Sequence, residues 1–237
     1  MSGLLSTLLP DFEVQTGCRV EVMVSTQNIY DIAGTGVADL VISHYGFPGL
    51  DQFVLGGLGD WPRPIFASQA VVLGPASDPA QVAGAPDAIE AFRRIAATQS
   101  LYVVNNDPNV KALTAFLWEA AGRPDPGTWY SDTALEGGDA ADSAAMLGGY
   151  LIWGVDPFFQ YQKMHGQALN ILFSSDSVLQ RIMIATVVTT KTSPNVNVQG
   201  ANALRDYLLS AAVQARVRAF RYQSLDQQFW WPAAQNN

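Results

Sequence analysis

Apolar residues recur along this chain at two spacings, and the alternation between them predicts the architecture. Leu4, Leu5, Leu8, Leu9 and Phe12 fall at helical intervals behind Ser2 and Gly3. The chain is therefore expected to open on an N-capped amphipathic helix that Gly17 ends, with Pro10 bending it. Residues 19–24 alternate around Val20, Val22 and Val24 and predict a strand, as do residues 38–42. Short β-branched or apolar runs at 70–73, 101–104, 169–173 and 182–189 predict four more. Ile89, Phe92, Ile95 and Ala96 predict a helix over 87–98, and Leu113, Phe116 and Leu117 one over 110–121. A helix of small residues is expected over 140–151, weakened or ended by Gly148-Gly149, with a helical turn over 158–164 and a helical tail over 201–210 and 213–220. Trp61-Pro62-Arg63-Pro64 reads as a stiff connection.

Strands and helices alternate without an internal repeat, which argues for an α/β class with mostly parallel sheets. The extended segments 70–73 and 182–188 flank a middle region that has helices and strands of its own. That is the layout of a chain crossing twice between two lobes. One lobe is expected at 1–73 plus 185–237 and the other at 74–184, with the cleft between them as the default ligand site.

Composition narrows the function. The chain has 237 residues, 49% of them hydrophobic, and a formal net charge of -8 with only 13 Lys and Arg. Binding a phosphate backbone takes many cations, so no nucleic acid partner is expected. Cys18 is the only cysteine, which rules out an internal disulfide and a cysteine-based metal site. No run of 18 apolar residues is present, so no membrane span is expected. The N-terminal residues lack a basic stretch, and Pro10-Asp11 interrupts their apolar run, so they do not read as a signal peptide. The apolar Phe229-Trp230-Trp231-Pro232 tail needs cover within the fold or in a homodimer contact.

The chemistry concentrates where strand 101–104 runs into Asn105-Asn106-Asp107-Pro108-Asn109-Val110-Lys111 and then into a helix. α/β proteins bind ligands beyond the carboxyl ends of strands, near helix N-termini whose free N–H groups favour anions and polar atoms. Asn105, Asn106 and Asn109 offer donors and acceptors to a ligand, or equally to the local turn and helix start. Asp107 is a ligand contact or a helix cap. Lys111 holds an anion or is simply solvated. His44 and Tyr45 follow strand 38–42 at its binding end, and His165 is not spaced to join His44 in a metal site. Asp139, Asp142 and Ser143 either line the site or form an exposed helix face with an acidic first turn. No nucleophile stands beside these carboxylates, so no enzyme activity is expected. Trp153, Phe158, Phe159 and Tyr161 form a stacking surface or a packed core. Gly34-Thr35-Gly36 and Gly56-Gly57-Leu58-Gly59 lack the Gly-Lys-Ser/Thr ending of a phosphate loop, and no cofactor is expected.

Several stretches together resemble the periplasmic solute-binding proteins of ABC importers, most closely the tungstate-binding branch beside the molybdate binders. They are Ser2 to Glu13 with Thr16-Gly17, Gly36 to His44, Arg63-Pro64-Ile65-Phe66, Val71 to Pro75 and Ala88 to Ala96. Leu117 to Gly122, Gly127-Thr128-Trp129-Tyr130 and Gly200-Ala201 with Leu204 to Leu209 complete them. The resemblance implies a two-lobed type II periplasmic-binding-protein-like fold, no catalysis, an extracytoplasmic location and an ABC permease as partner. It also implies a small polar or anionic solute in the inter-lobe cleft.

The chain departs from the family pattern at the site. The run Val104 to Val110 carries asparagines where the family has a Ser-Arg-Gly-Asp type loop. Asp139, Asp142 and Ser143 stand where the family brings Gly, Thr and Asn. Tight tungstate or molybdate binding is therefore expected to be weak or absent. The alternative is a degenerate sensor or protein-interaction module. The family also has a strand and a Thr/Ser-rich loop just before the segment matching Ser2-Gly3. That strand lies between the strands matching residues 19–24 and 38–42, so two strand edges are expected to lack a partner here.

Overall fold

The computed structural model describes residues 3–25, 28–221 and 228–234, except for the side chain of Asn109. The chain begins α1 (Leu4–Thr16), α2 (Ile29–Gly34), β1 (Leu40–His44), α3 (Leu50–Leu55), β2 (Arg63–Gly74) and α4 (Ala88–Ala97). It continues β3 (Tyr102–Val103), α5 (Pro108–Ala120), β4 (Tyr130–Ser131), α6 (Gly137–Leu147), β5 (Leu151–Gly154) and α7 (Val155–His165). It ends β6 (Asn170–Phe173), β7 (Gln180–Val187), α8 (Val198–Leu209), α9 (Ala211–Ala219) and β8 (Trp231–Pro232). Two compact units result: Met1–Ser68 with Arg181–Asn237, and Gln69–Gln180.

In the first unit β7 lies between β1 and the leading half of β2. β1 runs antiparallel to β7, from Leu40 opposite Val187 to His44 opposite Met183. Apolar side chains on alternate positions cover both faces of this sheet. Leu4, Leu8 and Phe12 of α1 pack with Ile65, Ala185, Leu208 and Val217. Val41 and Ile184 instead meet Tyr30, Leu50 and Phe53 of α2 and α3. Gly17, in the left-handed region at φ 69°, closes α1 by donating its N–H to Glu13 O, as the sequence predicts. Pro10 sits inside α1 without ending it, and Ser2 lies outside the described residues. The apolar tail is covered within its own unit. Trp230 stands edge-on to Phe66 at 5.2 Å, and β8 pairs with β2 at Phe66 and Ala67.

Residues 19–24 do not form the expected strand. They are largely exposed, with Val22 at 40%, Met23 at 60% and Val24 at 70%. Among the described residues β1 pairs only with β7, so its outer edge is open and no strand lies beside residues 19–24. A cavity of about 570 Å³ borders Arg19, Val20, Glu21 and Val22. Alternation marks a surface suited to a sheet, but strand geometry needs a neighbouring ladder to hold it.

In the second unit the trailing half of β2 pairs with β5, Ala70 opposite Gly154 and Leu73 opposite Leu151. It also pairs with β6, Val72 opposite Phe173 and Gly74 opposite Asn170. The expectation of mostly parallel sheets is corrected here. The β1–β7, β2–β5, β2–β6 and β2–β8 pairings are antiparallel, because the partners return along the two long strands. β3 and β4, which bracket α5 as a crossover, are parallel. α4 is the predicted amphipathic helix, capped by Asp87, whose carboxylate accepts from Glu90 N. Its Phe92 and Ile95 pack with Tyr102, Leu113, Leu117, Trp129 and Tyr150. The helix expected over 140–151 is cut short: Gly148 at φ 65° closes α6, which frees Leu151, Ile152 and Trp153 to form β5.

Gly74 shows how closely this unit is packed. A Cβ there would lie 2.6 Å from Tyr150 Cδ1 and 2.7 Å from Leu172 Cδ1. Tyr150 cannot swing aside without loss, since its hydroxyl donates to Asp78 Oδ1 and accepts from Ala80 N, both at 2.9 Å. Gly74→Ala is expected to destabilise the protein by about 1–3 kcal/mol through overpacking, read as a lower urea midpoint with an unchanged slope.

Candidate functional site

Strand β3 delivers the asparagine loop to the starts of two helices in the second unit. Asn105 is fully buried. Its side-chain oxygen accepts from Asp107 N at 3.1 Å, ahead of α5, and from Gly137 N at 2.9 Å, at the start of α6. Those two bonds fix which branch of the amide is oxygen. The Nδ2 branch is buried and has no hydrogen-bond partner among the described residues. Asn106 is also buried. Its main-chain N–H donates to Leu135 O at 2.8 Å, and its Nδ2 donates to Asp132 Oδ1 at 2.8 Å. Its Oδ1 accepts from Lys111 Nζ. Lys111 is thus held against the loop rather than waving in solvent. The Asp107 carbonyl accepts from the N–H groups of Val110 and Lys111, which makes Asp107 part of the α5 start. The reading of Asn109 as a ligand residue concerns a side chain outside the described set.

The polar positions of α6 turn toward α7. Asp142 Oδ1 accepts from Tyr161 OH at 2.7 Å and lies 3.5 Å from His165 Nδ1. The Tyr161 and His165 rings stack at 4.3 Å between centroids. Burial comes first among the causes that raise Tyr161 above the ordinary tyrosine value, to about 12, with Asp142 adding to it. Its hydroxyl therefore stays protonated and keeps donating. Ser143 is half-buried on the same helix. Trp153, one of the predicted aromatic set, stands edge-on to Tyr161 at 5.8 Å and is 5% exposed. Its indole Nε1 is buried with no partner among the described residues. Its Cζ2 lies 3.6 Å from where a Cβ on Gly137 would be, so Asn105 and Trp153 both border the start of α6.

His44 and Tyr45 belong to the first unit. Tyr45 is exposed, and its N–H donates to Ile182 O at 2.8 Å. His44 closes β1. Burial, helped by the positive charge of Arg181, lowers its pKa to about 4, so the ring is neutral at physiological pH. Its Nδ1 is buried without a partner among the described residues. No group of three His, Cys, Asp or Glu among those residues comes together in a way that could hold a metal ion.

The comparisons with known proteins agree on one kind of molecule. A protein of Haloferax volcanii described as an ABC transporter anion-binding protein is 29% identical over 240 residues, covering 98% of this chain and 69% of the relative. The tungstate-binding protein TupA of Peptoclostridium acidaminophilum is 24% identical over 220 residues, covering 91% and 76%. The solved structure of the tungstate-binding protein TupA from Desulfovibrio alaskensis G20 superposes with a TM-score of 0.82 at 26% identity. It covers 99% of this chain and 94% of that one. The chain is similar in sequence and in fold to the tungstate-type periplasmic solute-binding proteins. No family model matches it. Like these relatives it is a non-catalytic solute-binding protein.

The sequence singled out the asparagine loop, which the structure sets at the starts of α5 and α6, and gave no sign that the Trp153 indole N–H is without a partner among the described residues. Nothing in the spacing of Trp153, Phe158, Phe159 and Tyr161 separates a packed ring from one whose N–H lacks an acceptor.

His44 generates a pH prediction. Unfolded, it takes up a proton near 6.5; folded, only near 4. Between those values the unfolded state binds more protons, so stability falls as pH drops through that window. The loss attributable to His44 is about 3 kcal/mol between pH 7 and pH 4. His44→Gln is expected to flatten the pH dependence by that amount. Urea unfolding of both proteins at the two pH values measures it, and parallel pH profiles would refute the assignment.

Proposed function

We propose that this chain is the extracytoplasmic solute-binding component of an ABC importer, and that its solute is a small oxygen-bearing anion. The two compact units are, on this reading, the lobes of the binding protein. An ABC permease receives the solute. No helix among the described residues is long and apolar enough to cross a membrane, so delivery across one would fall to that permease. The relatives named for anion or tungstate binding support the solute class. The observation that carries the reading is the Asn105 side chain. One amide oxygen ties the starts of α5 and α6 together and leaves a buried N–H donor without an acceptor. Leaving such a donor unpaired is costly unless a ligand completes it. Asn105, Asn106, Asp107, Lys111, Asp142 and Ser143 in the second unit, and His44 and Tyr45 in the first, are the candidate contacts. Asp142 is the weakest of them, since its carboxylate is engaged by Tyr161.

Affinity for a dianion is expected to be modest. The loop contains no arginine, Lys111 already bonds Asn106, and Asn106 also bonds the Asp132 carboxylate. Each charge-assisted bond absent from a binding site costs about 2–5 kcal/mol. Calorimetric titration with sodium tungstate is expected to give a one-to-one Kd of about 1 µM or weaker, or about -8 kcal/mol. A thermal-shift panel of tungstate, molybdate, sulfate and phosphate is expected to raise the melting temperature with at least one of them. Silence across the panel would overturn the solute class, and nanomolar tungstate binding would overturn the argument from missing charge.

A further inference from the structure

We infer that two copies of this chain join edge to edge, residues 19–24 of each entering beside the open outer edge of β1 of the other. Both parts of the contact lie in the first unit, and the inference does not depend on the solute. β1 has one bonded edge. At the two ends of its ladder with β7, Val188 N donates to Asp39 O and Tyr45 N to Ile182 O, which turns the main-chain groups of the odd-numbered residues toward β7. Those of Leu40 and Ile42 face the other way, where no strand lies among the described residues. Leu40–His44 carries no lysine, arginine or proline, the residues that commonly keep an edge from pairing. Residues 19–24 have the complementary fault: they carry a strand pattern, expose Val22, Met23 and Val24, and border a cavity. Cys18, Val20, Leu40 and Ile42 are all only partly buried against the cluster that Leu4, Leu8 and Phe12 of α1 build. The segment and the strand edge therefore flank one incompletely covered core.

The occupant is a second copy because the segment is complementary to itself. Val20 N already donates to Glu13 Oε1 at 2.7 Å, so in an extended strand the main-chain groups of Arg19 and Glu21 point away from that bond. Two such segments laid antiparallel about Val20 set Arg19 of each copy opposite Glu21 of the other. Those become the hydrogen-bonded pairs of the ladder, with opposite charges across both of them. On the other face Val20 meets Val20, and Val22 meets Cys18. The contact uses the same patch on both copies, so it closes at a dimer. The remaining side of each segment, at Val22 and Val24, is left to Leu40 and Ile42 of the other copy. The joined sheet then reads β1, the other copy's segment, the first copy's segment, the other copy's β1. In that order each open strand edge gains a neighbour and the exposed valines are covered, the physics of strand addition.

Sedimentation equilibrium of the whole chain at two concentrations about 100-fold apart is expected to show the mass rising from monomer toward dimer. Arg19→Glu and Glu21→Arg each set like charges across both pairs. Either is expected to weaken the dimer about 10-fold. Neither is expected to lower the melting temperature of the dilute protein, because both side chains are exposed. Mixing the two single variants is expected to restore association, and so is combining both changes in one chain, since each puts opposite charges back across the pairs. That rescue is open only to self-pairing in this register. Hydrogen exchange reads the β1 edge independently: the amides of Leu40 and Ile42 are expected to exchange more slowly at the higher concentration. A monomer at both concentrations, a charge reversal without rescue, or Leu40 and Ile42 amides indifferent to concentration overturns the inference, and none of these outcomes touches the solute reading.

Discussion

Strand β2 is buried at ten consecutive positions from Ile65 to Gly74, and that burial imposes order on both units. A main chain taken out of water along such a length must find a hydrogen-bond partner at almost every N–H and C=O. The first unit supplies β7 and β8 to the leading half, and the second supplies β5 and β6 to the trailing half. Side chains follow the same demand. The Gln214 amide, itself buried, donates to Ile65 O at 2.7 Å and to Leu208 O at 2.6 Å, while its oxygen accepts from Ala233 N. A helix, a strand and the tail are joined by one amide because a polar group placed there must be fully used.

Asn105 follows the same logic with a different end. Its oxygen does the work of two helix caps, on α5 and on α6, and so fixes the loop that a solute would meet. Its nitrogen is left over. Where Gln214 spends every polar atom inside the fold, Asn105 and Trp153 each keep one donor in reserve. The two amide side chains differ in how fully the fold uses them, and the proposed solute reading rests on Asn105.

Much of this was legible in the sequence. The α4 stripe of Ile89, Phe92 and Ile95 is strong enough to place a helix without tertiary help, and Gly17 marked the end of α1 because a left-handed residue is needed there. The asparagine loop was found because a polar run after a buried strand and before a helix leaves few other roles. The failures share a cause. Residues 19–24 have the alternation of a strand but no described ladder beside them, so a local pattern was read that only a non-local partner could realise. β5 was not predicted, because Leu151, Ile152 and Trp153 are apolar at either period; the helix expected over 140–151 took in Leu151, although Gly148-Gly149 already marked its weak point, and the left-handed Gly148 ends it. The antiparallel pairings were missed for the same reason: alternation of elements does not say which way a returning strand runs.

Burial also governs the charge state of groups that sequence alone treats as ordinary. Neutral His44 at the end of β1 and a protonated Tyr161 hydroxyl against Asp142 are both products of desolvation, yet they act in opposite senses. The histidine loses its capacity to attract an anion by charge and keeps only a neutral ring with an unpaired Nδ1. The tyrosine keeps its proton and spends it on Asp142, which ties down one carboxylate of α6 without neutralising it. In the first unit, then, a conventional source of positive charge is switched off, and in the second an acidic group is oriented rather than removed.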